Sequence, residues 1–490
     1  MRKTHRPLTT LALALSLFTA ALEVTVVSTA MPTVVGELGG IHSYAWVFTA
    51  YLLASTITVP IYGKLSDLYG RKPVLLFGIG LFCVGSIASG LAMSMNALIA
   101  FRILQGVGAG AIQPVALTII GDLYTMEERG RVQGAFSAVW GVAGLVGPVT
   151  GGLIVKYLSW HWIFFINVPV AVLTFGLLVA FFHEQVQHKP QQLDYAGAAL
   201  LCAGVVALLV GVQGIGMNLW ALPVAVVLLG AFVAVERRAP EPVIPMTIFK
   251  YPAIAVSSIA GALFSAAMFG ATTYVPLYVQ AVLGSSPTVA GGMITPMIVA
   301  WPLAALLAGK VMLRTGFRPL IVGGLGLTVL GATAMAVLLK QGASLLALQV
   351  ALGVFGVGLG FASTSLLIAV QTSVGWELRG VATASNMFFR TIGGVLGVGL
   401  MGGVMVSQLM KDPSIPESAT NALLSPERGH AAIPAEVLET LSGALTTGLT
   451  INFWLICAFT MAAFISGLFF PRVQRVAGAP VSTSSAAAPH

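Results

Sequence analysis

The stretch "GKLSDLYGRKP", from Gly63 to Pro73, places one acid and three bases in a turn between two long apolar runs. A second stretch, "GKVMLRTGFRP" from Gly309 to Pro319, keeps the Gly-Lys, Gly and Pro spacing but has Leu313 in place of Asp67. Two further pairs have an offset near 250 residues: "QGVGAG" (105–110) with "FGVGLG" (355–360), and "EERG" (127–130) with "ELRG" (377–380). The chain therefore contains an internal repeat, and its two copies are predicted to run parallel.

Composition indicates that the chain folds in lipid. Of its 490 residues, 57% are hydrophobic and 8% are charged, whereas a soluble domain has roughly 25% charged residues. The net charge of +8 does not indicate nucleic-acid binding, because the bases lie between apolar runs and form no basic stripe. The three cysteines lie in separate apolar runs, so neither a disulfide framework nor a metal site is predicted.

Fourteen apolar runs reach the length of about 20 residues that a membrane-spanning helix needs. Because fourteen is even, both termini are predicted to lie on one side. Most Lys and Arg residues fall in turns on the side of the N-terminus, which makes that side cytoplasmic and the protein a multi-pass protein of the cell membrane. The runs lie roughly at 8–30, 45–65, 73–94, 97–121, 132–156, 161–182, 195–213, 219–236, 252–282, 287–312, 319–339, 343–370, 381–407 and 443–470.

The repeat divides the chain into two copies of six spans. We predict an N-terminal six-helix bundle over residues 1–182 and a C-terminal six-helix bundle over 252–475, related by an axis along the membrane normal. The segment 183–251 lies outside the repeat and is predicted to be a linker with two extra transmembrane helices. An outer loop is predicted over 408–442 and a disordered tail over 476–490.

The motifs resemble the major facilitator superfamily, and in particular its fourteen-span drug:proton antiporters of the EmrB/QacA type. The turn at Gly63–Pro73 is similar to the "GxLaDrxGrkxxl" pattern that joins spans 2 and 3 in that superfamily. Span 5 resembles the drug-exporter pattern G-x8-G-x3-GP-x2-GG, although Ala143 stands where a glycine is expected. Its matching residues are Gly134, Gly147, Pro148, Gly151 and Gly152.

Three further stretches carry the same resemblance. "RILQGVGAG" (102–110) in span 4 and "NMFFRTIGGVLGVG" (386–399) in span 13 are similar to family patterns. "LEVTVVSTAMP" (22–32) in span 1 departs from its pattern, with Glu23 in place of aspartate and Ser28 in place of asparagine. The resemblance covers nearly the whole chain.

The resemblance implies an all-α membrane protein with the major facilitator fold, built from two six-helix bundles plus two extra helices. It implies a proton-coupled multidrug efflux transporter, not an enzyme, that exports small lipophilic and cationic compounds by alternating access. The proton gradient is then the energy source, with no cofactor, no metal and no nucleic acid, and we expect a monomer in the bilayer. Two alternatives stay open: an exporter of an amphiphilic lipid or metabolite, and a proton-coupled uptake permease, against which the span 5 motif argues.

Glu23 and Arg102 are the predicted proton-coupling residues. Of sixteen acids, only Glu23 is predicted to lie well inside a span, and an acid at that depth is functional by default. At about 1.5 Å per residue, its depth in span 1 nearly matches that of Arg102 in span 4. Since arginine stays protonated, Arg102 would tune the acid without carrying the proton. The alternative is a static ion pair that holds spans 1 and 4 together.

The charged turn is predicted to form a cytoplasmic gate. Asp67 is a fixed negative charge that can bind a helix N-terminus, which carries about half an elementary positive charge, or a nearby arginine. The alternative is that the bases of the turn only follow the positive-inside rule. The predicted gate residues are Gly63, Asp67, Gly70, Arg71, Lys72, Asp122, Arg129 and Arg131.

Span 5 is predicted to bend at Pro148. Gly147, Gly151 and Gly152 would let another helix approach closely and so prevent proton leak between the halves, although ordinary glycine packing is the alternative.

A substrate cavity is predicted to be apolar with few polar groups. Each of its candidate residues can equally be a packing residue. The candidates are Trp46, Tyr51, Gln113, Trp140, Met268, Phe269, Tyr274, Gln280, Asn386, Phe389 and Arg390.

Overall fold

A computed structural model of the protein describes residues 4–124, 126–184, 194–213, 218–240, 242–340, 344–375, 379–411 and 435–472. Most of the predicted outer loop and the predicted tail lie outside these residues. The side chains of Asp67, Arg129, Arg131 and Trp140 also lie outside the described part, and Gly134 is described only as a residue within a helix.

The described residues form fifteen α-helices, most of which are longer than 18 residues. Their order along the chain follows the apolar runs, and α15 begins at Ala435, inside the predicted outer loop. The helices are α1 (Arg6–Leu38), α2 (Tyr44–Tyr69), α3 (Arg71–Gly90), α4 (Met95–Leu123), α5 (Met126–Tyr157), α6 (Trp162–Phe165), α7 (Asn167–Phe181), α8 (Tyr195–Gln213), α9 (Ala221–Glu236), α10 (Pro252–Ala281), α11 (Pro287–Thr315), α12 (Phe317–Lys340), α13 (Leu345–Thr372), α14 (Arg379–Leu409) and α15 (Ala435–Leu468).

Eleven helical segments within the described residues are long and apolar enough to cross a membrane, with α6 and α7 together forming one of them. Two shorter apolar helical segments occur at Gly141–Tyr157 and Ala221–Glu236. The protein is therefore an all-α, multi-pass membrane protein. The predicted count of fourteen spans is not confirmed by the length and composition of these helices.

The two copies of the repeated turn have the same backbone conformation. Gly70 separates α2 from α3 with φ 95°, and Gly316 separates α11 from α12 with φ 84°. A positive φ of this size is adopted readily by glycine and is strained for residues with a Cβ. The repeat in sequence is thus a repeat in local structure. We call the face of the protein that carries these two glycines the turn face, and the other end of the helices the opposite face.

Helices α1–α7 pack mainly on one another, and so do α10–α15; we call them the N-terminal and C-terminal sets. The sets touch along α5 with α11, α2 with α14, and α1 with both α10 and α11. Helices α8 and α9 pair with each other, and α8 packs against α2 and α14. The Gln213 side chain at the end of α8 donates a hydrogen bond to Thr49 Oγ1 of α2 at 3.1 Å.

Candidate functional site

The Glu23 carboxylate is fully buried near the middle of α1, where it forms an ion pair with Arg102 of α4. A buried charge is tolerated only when it is paired and hydrogen-bonded, because removal from water is costly. The Arg102 guanidinium also donates to Val47 O at 3.2 Å and to Gln105 Oε1 at 2.7 Å. The two predicted coupling residues are therefore in direct contact inside the N-terminal set.

Asn167, at the start of α7, completes the environment of the acid. Its amide donates to Glu23 Oε2, so both carboxylate oxygens accept hydrogen bonds from described residues. Ser86 connects this amide to Gln105, because Ser86 Oγ accepts from Asn167 at 3.3 Å and from Gln105 at 3.2 Å. The sequence analysis missed Asn167, although a lone amide beside the apolar run of span 6 is a signal that could have identified it.

A small cavity lies next to this network and between the two helix sets. It encloses about 300 Å³ of empty space, including the space at its mouth. Tyr51 and Arg102 both line this cavity, and Arg102 Cζ lies 4.1 Å from the centroid of the Tyr51 ring. The cavity therefore brings the coupling residues next to a narrow space between the helix sets, which in this conformation has room for about one water molecule. The lining residues are Val24, Ser28, Phe48, Tyr51, Leu52, Arg102, Phe269, Thr272 and Thr273.

Of the predicted cavity residues whose side chains the structure describes, Tyr51 and Phe269 line this space and the others are not among its lining residues. Trp46 and Gln113 are partly buried, and Met268 is buried. Phe389 packs its ring edge-to-face on Phe249 at 5.5 Å between ring centroids. Asn386 and Arg390 lie one turn apart on α14, outside the residues that line the cavity.

Tyr274 and Gln280 are buried towards the opposite face, where the two helix sets are joined by hydrogen bonds. Gln280 Nε2 donates to Thr29 O of α1 at 3.1 Å, and Tyr44 of α2 donates to Thr273 O of α10 at 3.0 Å. Tyr274 donates to Val398 O of α14 at 2.9 Å within the C-terminal set. The bonds of Tyr44 and Gln280 thus join the two helix sets on this side of the cavity.

The glycines of span 5 provide close contacts with two helices. A Cβ at Gly147 or Gly151 would strike α1 at Thr25 or Val26, and a Cβ at Gly152 would strike α11 at Thr288. Pro148 lies inside α5, and its carbonyl group lies against Gly291 of α11. Helix α5 is thus in tight contact with its own set on one side and with the C-terminal set on the other.

At the turn face, the charged turn is held by an acid that the sequence analysis did not single out. Glu184, just after α7, accepts hydrogen bonds from Arg71 N at 2.9 Å and Lys72 N at 2.8 Å, which are free donors at the start of α3. Asp122 forms an ion pair with Arg71. Gly63 lies inside α2, and among the described residues no atom outside its own helix backbone lies within 4 Å of the place where a Cβ would be. Arg71 is therefore paired with an acid of the N-terminal set, and Lys72 Nζ donates to Val179 O of the same set at 3.0 Å.

Comparison with protein families matches residues 13–398 to the Major Facilitator Superfamily. Among curated proteins, the chain is 36% identical over 428 residues to the multidrug transporter protein MdtP of Bacillus subtilis (strain 168), covering 85% of this chain and 79% of that protein. It is 33% identical over 490 residues to multidrug resistance protein 3 of the same strain, covering 95% of both chains.

Among solved structures, the fold is similar to a bacterial homolog of the human lysosomal transporter Spinster. In its inward-facing and occupied conformation the TM-score is 0.68 and the identity 14%, covering 96% of this chain and 98% of that chain. In its inward-facing and unoccupied conformation the TM-score is 0.69 at the same identity and coverage. At this identity the likeness concerns the fold alone.

Removal of the Tyr44 hydroxyl is expected to open the cavity towards the opposite face. Loss of one hydrogen bond of about 0.5–1.5 kcal/mol shifts a closed–open equilibrium by about two- to tenfold. We expect Tyr44→Phe to increase, by about that factor, the rate at which a membrane-impermeant thiol reagent applied at the opposite face labels Ser28→Cys. The measurement uses a background in which Cys83, Cys202 and Cys457 are replaced.

Tyr278→Phe is the matched control for this experiment. Tyr278 lies on α10, one turn after Tyr274. Its ring packs on that of Phe453, with 5.6 Å between the ring centroids. We expect its labelling rate to equal that of the parent. Equal labelling of the Tyr44→Phe protein and the parent would contradict the closing role of Tyr44.

Proposed function

The chain belongs to the Major Facilitator Superfamily, and we propose that it is a proton-coupled exporter of small lipophilic compounds, cationic ones among them. It is a membrane transporter and not an enzyme. The observation that carries the proposal is the buried Glu23 carboxylate, paired with Arg102 beside a cavity between two helix sets. A pair that can gain or lose one proton next to a substrate site is the minimum that proton-driven transport requires.

The pair gives proton binding a structural consequence. Protonation of Glu23 would cancel the charge that neutralises Arg102, and an unpaired guanidinium in a low-dielectric site is costly. Arg102 would then turn its charge towards the cavity that it already lines, where it would repel a cationic substrate. Proton and cation would thus occupy the site in alternation, which is the condition for exchange.

Alternating access supplies the direction of transport. A proton that enters with the membrane potential gains about 2.3 kcal/mol per 100 mV. We infer that the two helix sets are the two six-helix bundles. The interfaces of α5 with α11 and of α1 with α10 would rearrange as the bundles move. The hydrogen bonds of Tyr44 and Gln280 would form an outer gate. The close glycine contacts of α5 would keep protons from passing between the bundles.

Export is supported by the relatives. The two Bacillus subtilis proteins are named as a multidrug transporter and a multidrug resistance protein, and a further relative, 31% identical over 416 residues, is the efflux pump dotC of Dothistroma septosporum. The alternative of amphiphilic lipid or metabolite export uses the same machinery, and it is favoured by one observation, the lack of an acidic partner for Arg390 among the described ion pairs. Uptake in place of export is the least favoured alternative.

The membrane topology is also part of the proposal. We infer that all fourteen apolar runs cross the bilayer, that α8 and α9 are the two extra spans, and that the turn face and both termini are cytoplasmic. Reporter fusions after residues 184, 213 and 472 provide the measurement. Opposite locations for the reporters at 184 and 472 would contradict this topology, because an even number of spans separates these positions.

Glu23→Gln is expected to abolish proton-driven export, because the amide copies the protonated side chain and cannot release a proton. Glu23→Asp, which restores the residue expected from the family pattern, should retain part of the activity. The measurement is substrate-induced proton release from vesicles that contain the purified protein, screened with dyes, quaternary ammonium compounds and lipids.

Glu37→Gln is the control for Glu23→Gln. Glu37 lies at the end of the same helix and accepts a hydrogen bond from Trp160 Nε1 at 2.8 Å, which a glutamine oxygen can also accept. We expect full export from this variant. Folded Glu23→Gln protein with the proton release of the parent would mean that coupling resides elsewhere.

Asp67→Asn is expected to impair transport without unfolding the protein, because it removes the charge of the gate at nearly constant shape. The repeat supplies a matched control, since Leu313→Asn places the same side chain at the equivalent position of the second copy, which carries no charge. We expect this control to transport normally. Equal transport by Asp67→Asn and the parent would show that the turn serves only orientation in the membrane.

A further inference from the structure

Arg390 carries a charge far from either membrane surface. It lies eleven residues after Arg379, the first residue of α14, which is about 16 Å along the helix axis at about 1.5 Å per residue. The guanidinium stays protonated in proteins. A cation at this depth is costly and is expected to have a partner or to face a water-filled space.

No acidic partner is present among the described contacts of Arg390. Its guanidinium lies over the ring of Phe264 in α10, with 4.9 Å between Cζ and the ring centroid. The other deep arginine, Arg102, contrasts with it, because Arg102 is paired with Glu23. The N-terminal set therefore holds a neutral pair, whereas Arg390 of the C-terminal set has no acidic partner among the described ion pairs.

The surroundings of Arg390 are polar and incompletely satisfied. Its side chain is partly buried, and the aliphatic part of that side chain lies against Gly261 of α10, next to the Asn386 amide. Asn386, one turn earlier on the same helix face, is 1% exposed, and its Oδ1 has no hydrogen-bond partner within the part of the chain that the structure describes. The amide nitrogen of Asn386 donates to Ser258 Oγ of α10 at 3.4 Å. A cation and a free acceptor thus lie side by side between α10 and α14.

We propose that Arg390 and Asn386 form a subsite for the acidic group of amphiphilic substrates, a carboxylate or a phosphate monoester. A carboxylate or phosphate can bind the guanidinium through two parallel hydrogen bonds. A hydroxyl group beside the charge, as in a phosphate monoester that keeps one proton, donates to Asn386 Oδ1. The ring of Phe264, beside the guanidinium, offers an apolar contact to the chain of such a molecule. The proposal rests on the proposed export function and adds a class of substrates to it.

The charge distribution separates two ligand classes. A lipophilic cation interacts with the acid of the N-terminal set, Glu23, and is repelled by Arg390. A lipophilic anion binds Arg390 and gains nothing from Glu23. An anion that leaves the cell and a proton that enters it both move with an inside-negative potential, so export of acids is compatible with proton antiport.

The test measures binding of three probes with the same chain: octanoate, octyl phosphate and octyltrimethylammonium. Each is titrated calorimetrically into the full-length protein in lipid nanodiscs, with empty nanodiscs as the blank. We expect Arg390→Gln to weaken both anionic probes by about tenfold or more, since charge-assisted hydrogen bonds are lost, and to leave the cationic probe as tight as before or tighter. Arg390→Lys, which keeps the charge and loses the planar pair of donors, should fall between.

Arg237→Gln is the control, because Arg237 is exposed at the end of α9, and it should bind all three probes as the parent does. Weakening of only octanoate or only octyl phosphate identifies the acidic group and supports the subsite. Equal affinities of parent and Arg390→Gln for both anions would overturn it, as would a parent that binds the cation and neither anion. Retained cation binding by Arg390→Gln establishes that the variant is folded.

The titration contains no proton gradient, so it separates this proposal from proton-coupled export. Loss of anion binding in Arg390→Gln together with unimpaired binding in Glu23→Gln supports the subsite even if Glu23 does not couple protons. Conversely, if the anions do not bind but proton release still depends on Glu23, the subsite is wrong and the coupling proposal stands.

Discussion

The Glu23–Arg102 ion pair lies in a region where neither water nor the lipid can solvate a charge, and the surrounding helices are arranged to satisfy it. Helices α1 and α4 provide the two charges, α3 and α7 provide Ser86 and Asn167, and α2 provides the carbonyl of Val47 and the ring of Tyr51. Loss of one partner would leave the other charge buried and unpaired, at a cost of several kcal/mol. Under the proposed mechanism, a proton bound at Glu23 would therefore perturb contacts on five helices.

Close helix approach complements this rigid network. Glycines in α5 allow contacts with α1 and α11 that side chains would prevent, and small residues at such interfaces replace the hydrophobic driving force that lipid does not supply. The same helix thus belongs to the N-terminal set and borders the C-terminal one. Hydrogen bonds to backbone carbonyls, such as that of Tyr44, add to the closure at the opposite face and can be exchanged at little cost when the sets move.

The two deep arginines make the halves chemically unequal although their turns repeat. Arg102 is neutralised within its own set, whereas Arg390 has an aromatic ring and an amide as neighbours. Under the two proposals, the N-terminal half would couple transport to protons and the C-terminal half would bind the acidic group of the substrate. The turns at Gly70 and Gly316 nevertheless have similar backbone conformations in the two halves.

Sequence by itself determined the features that depend on local chemistry or on depth. Apolar runs indicated the helices, the spacing of Gly70 and Gly316 indicated two equivalent turns, and the matching depths of Glu23 and Arg102 indicated their pairing. Only the tertiary structure decided which side of each helix faces which neighbour. A helix that is apolar all round gives no periodicity from which its rotation could be predicted. The contact of Asn167 with Glu23, 144 positions apart in the chain, was therefore visible only in the packed structure. The same holds for Glu184 at the start of α3. For the same reason Tyr274 and Gln280 were predicted at the cavity but lie in the closed contacts towards the opposite face, because depth sets the level of a side chain in the membrane and helix rotation sets its partner.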